Sequence, residues 1–329
     1  MNVLVLGGGG YIGSIMCQYL LENSCNIRII DNFVYGTDKI NFLYNKFYGK
    51  IEIVNKNIYD IDNNDLENID YIIDLAGLPN DPTAELHPTL CENTGESSIK
   101  VAKLASIKGI KRYIYMSSCS VYGDTGELLC DEFTKTNPLT TYAKVKLNVE
   151  NNLYDINKSN HLPIAILRNA TTYGTSYRQR LDLFINGMCV NALLNKKIDV
   201  HGNGLQYRPI IHVRDVARAT LELIKQEEKL DSFTIFNLGT SNTTILKIAK
   251  SISKAFGAQL NFIESQADKR NYKVSFNKFN STINFNSQYT FQDTIKEFER
   301  LYDQKKLAKL EDAYSLEVYK KLYTEEIQK

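Results

Sequence analysis

The sequence predicts an α/β fold: a doubly wound parallel sheet with a smaller C-terminal α/β lobe. Three observations carry the prediction. Short apolar runs suited to buried strands recur at 1–6, 27–31, 51–55, 70–76, 112–117 and 162–168. Amphipathic stretches at helical spacing lie between them, at 11–22, 38–47, 83–107 and 141–158. Buried strands alternating with helices make a parallel sheet covered on both faces, and right-handed crossovers wind it in both directions. The third observation is the run Gly7, Gly10 and Gly13 between the first strand and the first helix.

The first strand is Val3-Leu4-Val5-Leu6, and the helix after the glycines runs from Tyr11 to Leu21. Strand, glycine turn and helix in that order set backbone N–H groups and a helix N-terminus against a pyrophosphate. The second strand, Ile27-Arg28-Ile29-Ile30, ends at Asp31. That matches the separation of about 20 residues between a phosphate turn and the carboxylate that reads a ribose. A carboxylate there accepts from both ribose hydroxyls and repels a 2′-phosphate, so the expected cofactor is NAD rather than NADP. Asn32 follows and has capping of the next helix as its alternative use.

After Arg168 the rhythm changes. Helical segments at about 181–195, 214–226, 244–256, 290–303 and 314–324 are separated by short strands and turns. The expected division is a Rossmann domain over 1–170 and a ligand-binding lobe mainly over 171–329. Segments from about 205–240 are expected to interleave back into the first domain.

Composition narrows the class. The 329 residues carry a formal charge of +1 and no basic block, which argues against nucleic acid as a partner. No apolar run reaches the roughly 18 residues of a membrane span, and Met1 leads directly into a strand, so neither an anchor nor a signal peptide is expected. Cys17, Cys25, Cys91, Cys119, Cys130 and Cys189 form no C-x-x-C pair and fit no zinc site. They read as reduced thiols of a cytoplasmic protein. His87, His161 and His201 make no metal set, and no metal is expected.

Three segments fall where strand ends should face the cofactor. Asp74-Leu75-Ala76-Gly77 closes the fourth strand with small residues that let backbone approach a ligand. Ser117-Ser118-Cys119-Ser120-Val121-Tyr122-Gly123 closes the fifth, where hydroxyls suit either a substrate oxygen or ordinary turn chemistry. Tyr142-Ala143-Lys144-Val145-Lys146 opens a helix and puts Tyr142 and Lys146 on one face. An ammonium so placed is expected to lower the phenol pKa, making the tyrosine an acid/base near neutral pH. Tyr-x-x-x-Lys also starts at Tyr35, Tyr154 and Tyr302. The Tyr142 copy alone follows a hydroxyl-bearing strand end, with Pro138 turning the chain just before it. Tyr154 lies farther along the same helix and should face elsewhere.

In this order the elements resemble the extended short-chain dehydrogenase/reductase family, the NAD-dependent nucleotide-sugar epimerases and dehydratases, over nearly the whole chain. The resemblance implies a catalytic set of Ser118, four residues before Tyr122, with Tyr142 and Lys146. Tyr142 would exchange a proton with a sugar hydroxyl while hydride moves to or from the nicotinamide. Ser118 would hold the same oxygen, and Lys146 would bind the nicotinamide ribose and tune Tyr142. Cofactor contacts are implied at Gly7, Gly10, Tyr11, Ile12, Gly13, Asp31, Asn32, Leu75, Ala76 and Gly77, with Asn57 and Ile58 at the adenine.

The second half agrees with the resemblance. Arg168-Asn169-Ala170-Thr171-Thr172-Tyr173-Gly174 looks like the family segment joining the sixth strand to the substrate lobe. Val200-His201-Gly202-Asn203-Gly204 and the stretch from Arg208 to Val216 resemble the part that receives the base and phosphates. Arg208 and Arg270 are candidates for the diphosphate, which a guanidinium fork suits. Ser120, Asn169 and Thr171 are further substrate candidates. Arg178 and Arg180, on a loop over the sugar, are equally well read as solvated surface. His212 and Asp215 read as a loop support and a helix cap.

Departures narrow the reaction. The 4,6-dehydratases place Asp-Glu directly after the catalytic hydroxyl residue; here those positions are Cys119 and Ser120, which disfavours dehydration. The 3,5-epimerising relatives place a Cys where Ser120 stands. What remains is oxidation at C4 of a nucleotide-diphosphate sugar. Re-reduction from the other face gives a 4-epimerase, the leading expectation. Release of the ketosugar gives a C4 dehydrogenase, and the reverse gives a 4-ketoreductase. A non-catalytic NAD-binding regulator is the reading from a different class, and the complete set Ser118, Tyr142, Lys146 stands against it. A homodimer is expected through helices 83–107 and 141–158, the first carrying Leu86, Leu90, Ile99, Val101 and Leu104.

Overall fold

The computed structural model describes residues 1–264, 270–307 and 313–327, with side chains through residue 322. The first half alternates strand and helix: β1 (Asn2–Leu6), α1 (Tyr11–Glu22), β2 (Asn26–Asp31), α2 (Asp38–Lys46), β3 (Ile51–Asn55), β4 (Tyr71–Asp74), α3 (Asp81–Leu86), α4 (Pro88–Ile107), β5 (Arg112–Ser118), the short β6 (Leu129–Cys130), α5 (Thr141–Asn160) and β7 (Ile164–Asn169). The second half follows with β8 (Thr171–Tyr173), α6 (Phe184–Asn195), β9 (Lys197–His201), β10 (Tyr207–His212), α7 (Val213–Lys225), β11 (Phe233–Leu238), β12 (Ser241–Thr244), α8 (Ile245–Phe256), β13 (Gln259–Ile263), β14 (Lys273–Val274), α9 (Asn277–Ile283), α10 (Phe291–Asp303) and α11 (Ser315–Ile327).

The large sheet is seven-stranded and parallel, in the order β11-β7-β5-β4-β1-β2-β3. Side chains alternate across it with the period of two that a strand imposes. Val3 and Val5 pack with α1 and α7 on one face. Leu4 and Leu6 pack with α4 and α5 on the other. A third apolar core, between α6, α8, α10 and β9, belongs to the second half.

Two sequence expectations change. The run 83–107 is two helices, because His87 precedes Pro88 and leaves the helical region at φ −133°, ψ 68°. A residue before proline is disfavoured in the α conformation. The sheet also has a seventh strand, β11, hydrogen-bonded to β7 from Phe233↔Ile164 to Leu238↔Asn169.

His212 and Asp215 supply a helix cap and a loop support, with the two roles exchanged from the order expected. His212 Nδ1 accepts from Arg214 N (3.2 Å) as the N-cap of α7. Asp215 accepts from the amides of Gln288 and Tyr289, both at 3.1 Å. All six cysteines are buried and unbridged. Among the described residues, no helix is long and apolar enough to cross a membrane, and no group of three His, Cys, Asp or Glu is placed to hold a metal.

Candidate active site

The glycine turn is built by close approach. Gly7 has φ +77° and donates its amide to Ile30 O (2.9 Å), tying the turn to β2. A Cβ on Gly13 would lie 2.2 Å from Gly7 O, so only glycine lets α1 sit against the turn. Gly10 precedes the first turn of α1, whose N–H groups receive no side-chain cap. Those donors and the helix dipole favour an anion.

Asp31 ends β2 facing this turn. Its Oδ2 accepts from Gly9 N (2.9 Å) and its Oδ1 from Phe33 N (2.7 Å). Burial raises its pKa, opposed by those two amides. A cavity of about 370 Å³ opens here, lined by Gly7, Gly10, Asp31, Asn32, Asn57, Ile58, Leu75, Ala76 and Gly77. Asn32 Nδ2 donates a hydrogen bond to Asn57 Oδ1 (3.2 Å). Tyr319 and Leu322 of α11 close the far wall, a contribution the sequence did not reveal.

A second cavity, of about 570 Å³, adjoins the first through Gly7, Gly10, Leu75 and Gly77. It is lined by Tyr11, Ile12, Gly13, Ser118, Ser120, Tyr142, Lys146, Asn169 and Thr171, and by Arg178, Arg180, Arg208 and Arg270. Every predicted site residue except Val200 and His201 therefore lines one of two connected cavities. Val200 is fully buried in the apolar core of the second half. His201 is exposed at the end of β9 and lines neither cavity. Alternation along β9 explains the pair, since neighbouring side chains point to opposite faces.

Ser118 is the last residue of β5, and its Oγ accepts from Ser120 N (3.2 Å). Tyr142 is the second residue of α5, whose N-cap Thr140 accepts from Ala143 N (3.2 Å). Lys146, one turn on, donates to Met116 O (2.8 Å) and lies 4.6 Å from the Tyr115 ring centroid and 5.8 Å from that of Tyr142. Burial lowers the Lys146 pKa, against the pull of Asp74. The Tyr142 phenol is pushed well up, first by burial and then by the Asp81 carboxylate; Arg180 and a hydrogen bond with Ser118 oppose this. The expected lowering by Lys146 is not what dominates, because the ammonium is engaged by Met116 and the Tyr115 face. Ser120 Oγ and Asn169 Oδ1 are buried without a hydrogen-bond partner among the described residues. A buried polar atom left so is costly, and both belong to residues that line the larger cavity.

The arginines are held rather than solvated. Arg178 is 1% exposed, lies 3.6 Å from the Tyr35 ring centroid and donates to Ser315 Oγ (2.9 Å). Arg180 forms a fork with Asp182 (2.8 and 3.1 Å) and donates to Pro79 O (3.0 Å). Arg208 donates to the carbonyls of Tyr207 and Arg270. Arg270 pairs with Asp81 (2.8 Å). The solvated-surface alternative for Arg178 and Arg180 is thereby removed.

Behind Ser118, Glu150 and Arg168 form a buried pair at 2.6 Å that also takes the Ser117 hydroxyl. Cys119 points its thiol at Arg168 O (3.1 Å), and burial pushes its pKa up. With Ser120 beside it, no carboxylate pair follows Ser118. Tyr154 is 42% exposed and packs on Phe233 (5.1 Å), away from the cavity.

The chain is similar to known proteins over most of its length. An uncharacterized UDP-glucose epimerase of Bacillus subtilis is 26% identical over 307 residues, spanning 90% of this chain and 96% of the relative. A probable UDP-arabinose 4-epimerase of Oryza sativa subsp. japonica is 26% identical over 321 residues, spanning 88% and 76%. The crystal structure of UDP-glucuronic acid 4-epimerase from Bacillus cereus, in complex with UDP-glucuronic acid and NAD, aligns with a TM-score of 0.82 at 25% identity, over 92% of this chain and 100% of that one. Residues 3–239 match the family profile itself, and the chain belongs to the NAD dependent epimerase/dehydratase family.

Proposed function

We propose that this protein is an NAD-dependent 4-epimerase of a nucleotide-diphosphate sugar. The observation that carries the reading is the meeting of Ser118, Tyr142 and Lys146 at the end of β5, in a cavity continuous with the one Asp31 faces. The Gly13 approach, the uncapped start of α1 and the placement of Asp31 fit a bound dinucleotide. NAD, when bound, supplies a reversible hydride acceptor. In this reading Tyr142 would act from its phenolate form, its oxygen taking the proton of the C4 hydroxyl as C4 gives up hydride. It returns that proton when hydride comes back to the opposite face. Ser118 holds the C4 oxygen, Lys146 the nicotinamide ribose, and Asp31 the adenosine ribose. Arg208 and Arg270 hold the diphosphate. Ser120 and Asn169 bring two unsatisfied oxygens to the sugar's hydroxyls.

The same reading divides the chain near residue 170, with 205–240 returning to the first domain, and carries a cytoplasmic location and a role in carbohydrate biosynthesis. It includes a homodimer through the outer faces of α4 and α5. The apolar surplus expected there is smaller than the sequence implied: Ile99 and Val101 are buried in the sheet core, Leu104 packs against it, and Leu86 is 42% exposed. The dimer therefore rests on the family resemblance, and a monomer mass by light scattering at micromolar concentration would remove it.

The test is direct. Purified protein is denatured and its small molecules identified by mass spectrometry. Fresh protein is then incubated with UDP-glucose, UDP-glucuronic acid and UDP-arabinose under proton NMR. Released NAD and appearance of the C4 epimer, with no net NADH, are expected. Stoichiometric NADH with a 4-keto product would replace the epimerase by a C4 dehydrogenase.

A further inference from the structure

The six-residue helix α3 touches both halves of the site. Asp81 and Glu85 lie one turn apart on it and grip the start of α5. Asp81 Oδ1 accepts from the Thr140 hydroxyl (2.5 Å), and Glu85 Oε1 from the Thr141 amide (2.8 Å). Thr140 is the N-cap of α5, and Tyr142 follows two residues later. On its other side α3 is held by the arginine-bearing segments. Asp81 Oδ2 takes Arg270 (2.8 Å), and the N-cap residue Asn80 donates to Asp182 (2.5 Å), the partner of Arg180. Asn80 and Asp81 both line the larger cavity.

We propose that Asp81 is a positioning residue that links the diphosphate-side arginine Arg270 to the helix start carrying Tyr142, so that filling the diphosphate site seats the tyrosine. The inference rests on the epimerase reading for the roles of Arg270 and Tyr142. One carboxylate oxygen serves each partner, so a shift of Arg270 toward an incoming phosphate is felt at Thr140 through a single rigid group. A carboxylate that orients a guanidinium also leaves its outer N–H groups aimed at the ligand.

Asp81 contributes charge as well as position. The groups acting on the Tyr142 phenol are Asp81 from α3, Cys91 from α4, Ser118 from β5 and Arg180 from the segment before α6, with Lys146 flanking its ring from α5. Asp81 and Cys91 raise the phenol pKa; Arg180 and Ser118 lower it. Asp81→Asn keeps the shape and both neighbours but removes the charge.

Two measurements test this. In the first, kcat and kcat/KM are followed across pH for wild type, Asp81→Asn, Arg270→Gln and the double variant. Asp81→Asn is expected to lower kcat/KM by about 10- to 100-fold, the scale of one charged hydrogen bond, and to move the rise of kcat with pH to lower pH. The double variant is expected to lose little beyond Arg270→Gln alone. The second needs no turnover: hydrogen exchange of the NAD-loaded protein with and without UDP. UDP is expected to protect residues 140–146 in wild type, and to lose that effect in Asp81→Asn while still protecting residues near Arg208. Equal protection of 140–146 in both proteins, or an unmoved pH profile with additive losses, would overturn the positioning role and leave the epimerase reading standing. Failure of UDP, and of GDP, CDP and dTDP in the same assay, to bind the wild type would overturn both.

Discussion

Lys146 stands one helical turn from Tyr142, yet its ammonium donates to Met116 O at 2.8 Å and only flanks the Tyr142 ring, 5.8 Å from its centroid. The two residues are neighbours held by different partners. Tyr142 is set by the cap of α5, and Lys146 by the backbone of β5. Their substitutions should therefore fail in different ways.

Tyr142→Phe removes one hydroxyl and keeps the ring, so folding and NAD content should be unchanged. Turnover should fall by about 10²–10⁴-fold, the usual contribution of general acid/base catalysis. Tyr154→Phe is the control, since that ring packs on Phe233 outside the cavity. Steady-state kinetics on both variants decide the matter; loss of turnover in Tyr154→Phe with an active Tyr142→Phe would reverse the assignment.

Lys146→Met should lose turnover and NAD affinity together. Stability should move the other way. Burial holds the Lys146 pKa below its ordinary 10.5, so the folded protein releases this proton before the unfolded chain does. Stability from this group therefore rises as pH climbs between the two values. The variant should lack that rise and melt at an equal or higher temperature near neutrality. Calorimetry from neutral to alkaline pH checks both points.

Asp31 should govern the choice between NAD and NADP. Its pKa is raised by burial, so on acidification it takes up a proton earlier than an exposed aspartate would. Protonation weakens the ribose acceptor and the repulsion of a 2′-phosphate together. Preference for NAD should be full at neutral pH and shrink as pH falls. Asp31→Ala should show little preference at any pH. Titration of both cofactors by calorimetry gives the ratio, and an unchanged ratio in the variant would count against the assignment.

Glu150→Ala should be among the more damaging single changes outside the cavity. It strands Arg168, which is 4% exposed, and removes the acceptor of the Ser117 hydroxyl beside Ser118. Breaking a buried ion pair costs about 3–5 kcal/mol. Replacing both partners, as Glu150→Leu with Arg168→Met, should recover much of that loss in urea unfolding, because no charge is then left alone. Equal instability of the single and double variants would argue against the pair as the cause.

The parts of the fold that were readable are those with local signals. Val3-Leu4-Val5-Leu6, the glycines after it and Asp31 lie within one strand-helix-strand unit and announce it together. Ser118, Tyr142 and Lys146 were readable because a strand end and a helix start each leave a short pattern. β11 was not read as a strand, although it lies within the 205–240 segment expected to return to the first domain, because its place beside β7 is a pairing across the chain that no short window shows. The role of α3 was hidden for the same reason: Asn80 meets Asp182, and Asp81 meets Arg270, only once the sheet has brought distant loops together. Val200 and His201 were misplaced because a resemblance in sequence says nothing of which face of a strand meets the cavity.

The position of β11 has a consequence for how the protein is made. It is the edge strand of the large sheet and pairs with all six residues of β7, every one of them buried. A fragment ending near residue 170 would leave β7 as an edge strand with unpaired N–H and C=O groups, a ready template for pairing with other chains. A fragment continued past Leu238 would supply the missing ladder. During synthesis the sheet must likewise wait, with β7 uncovered, while more than sixty residues of the second half emerge before its last strand arrives. That interval is where a chaperone would act and where aggregation of the nascent chain would begin.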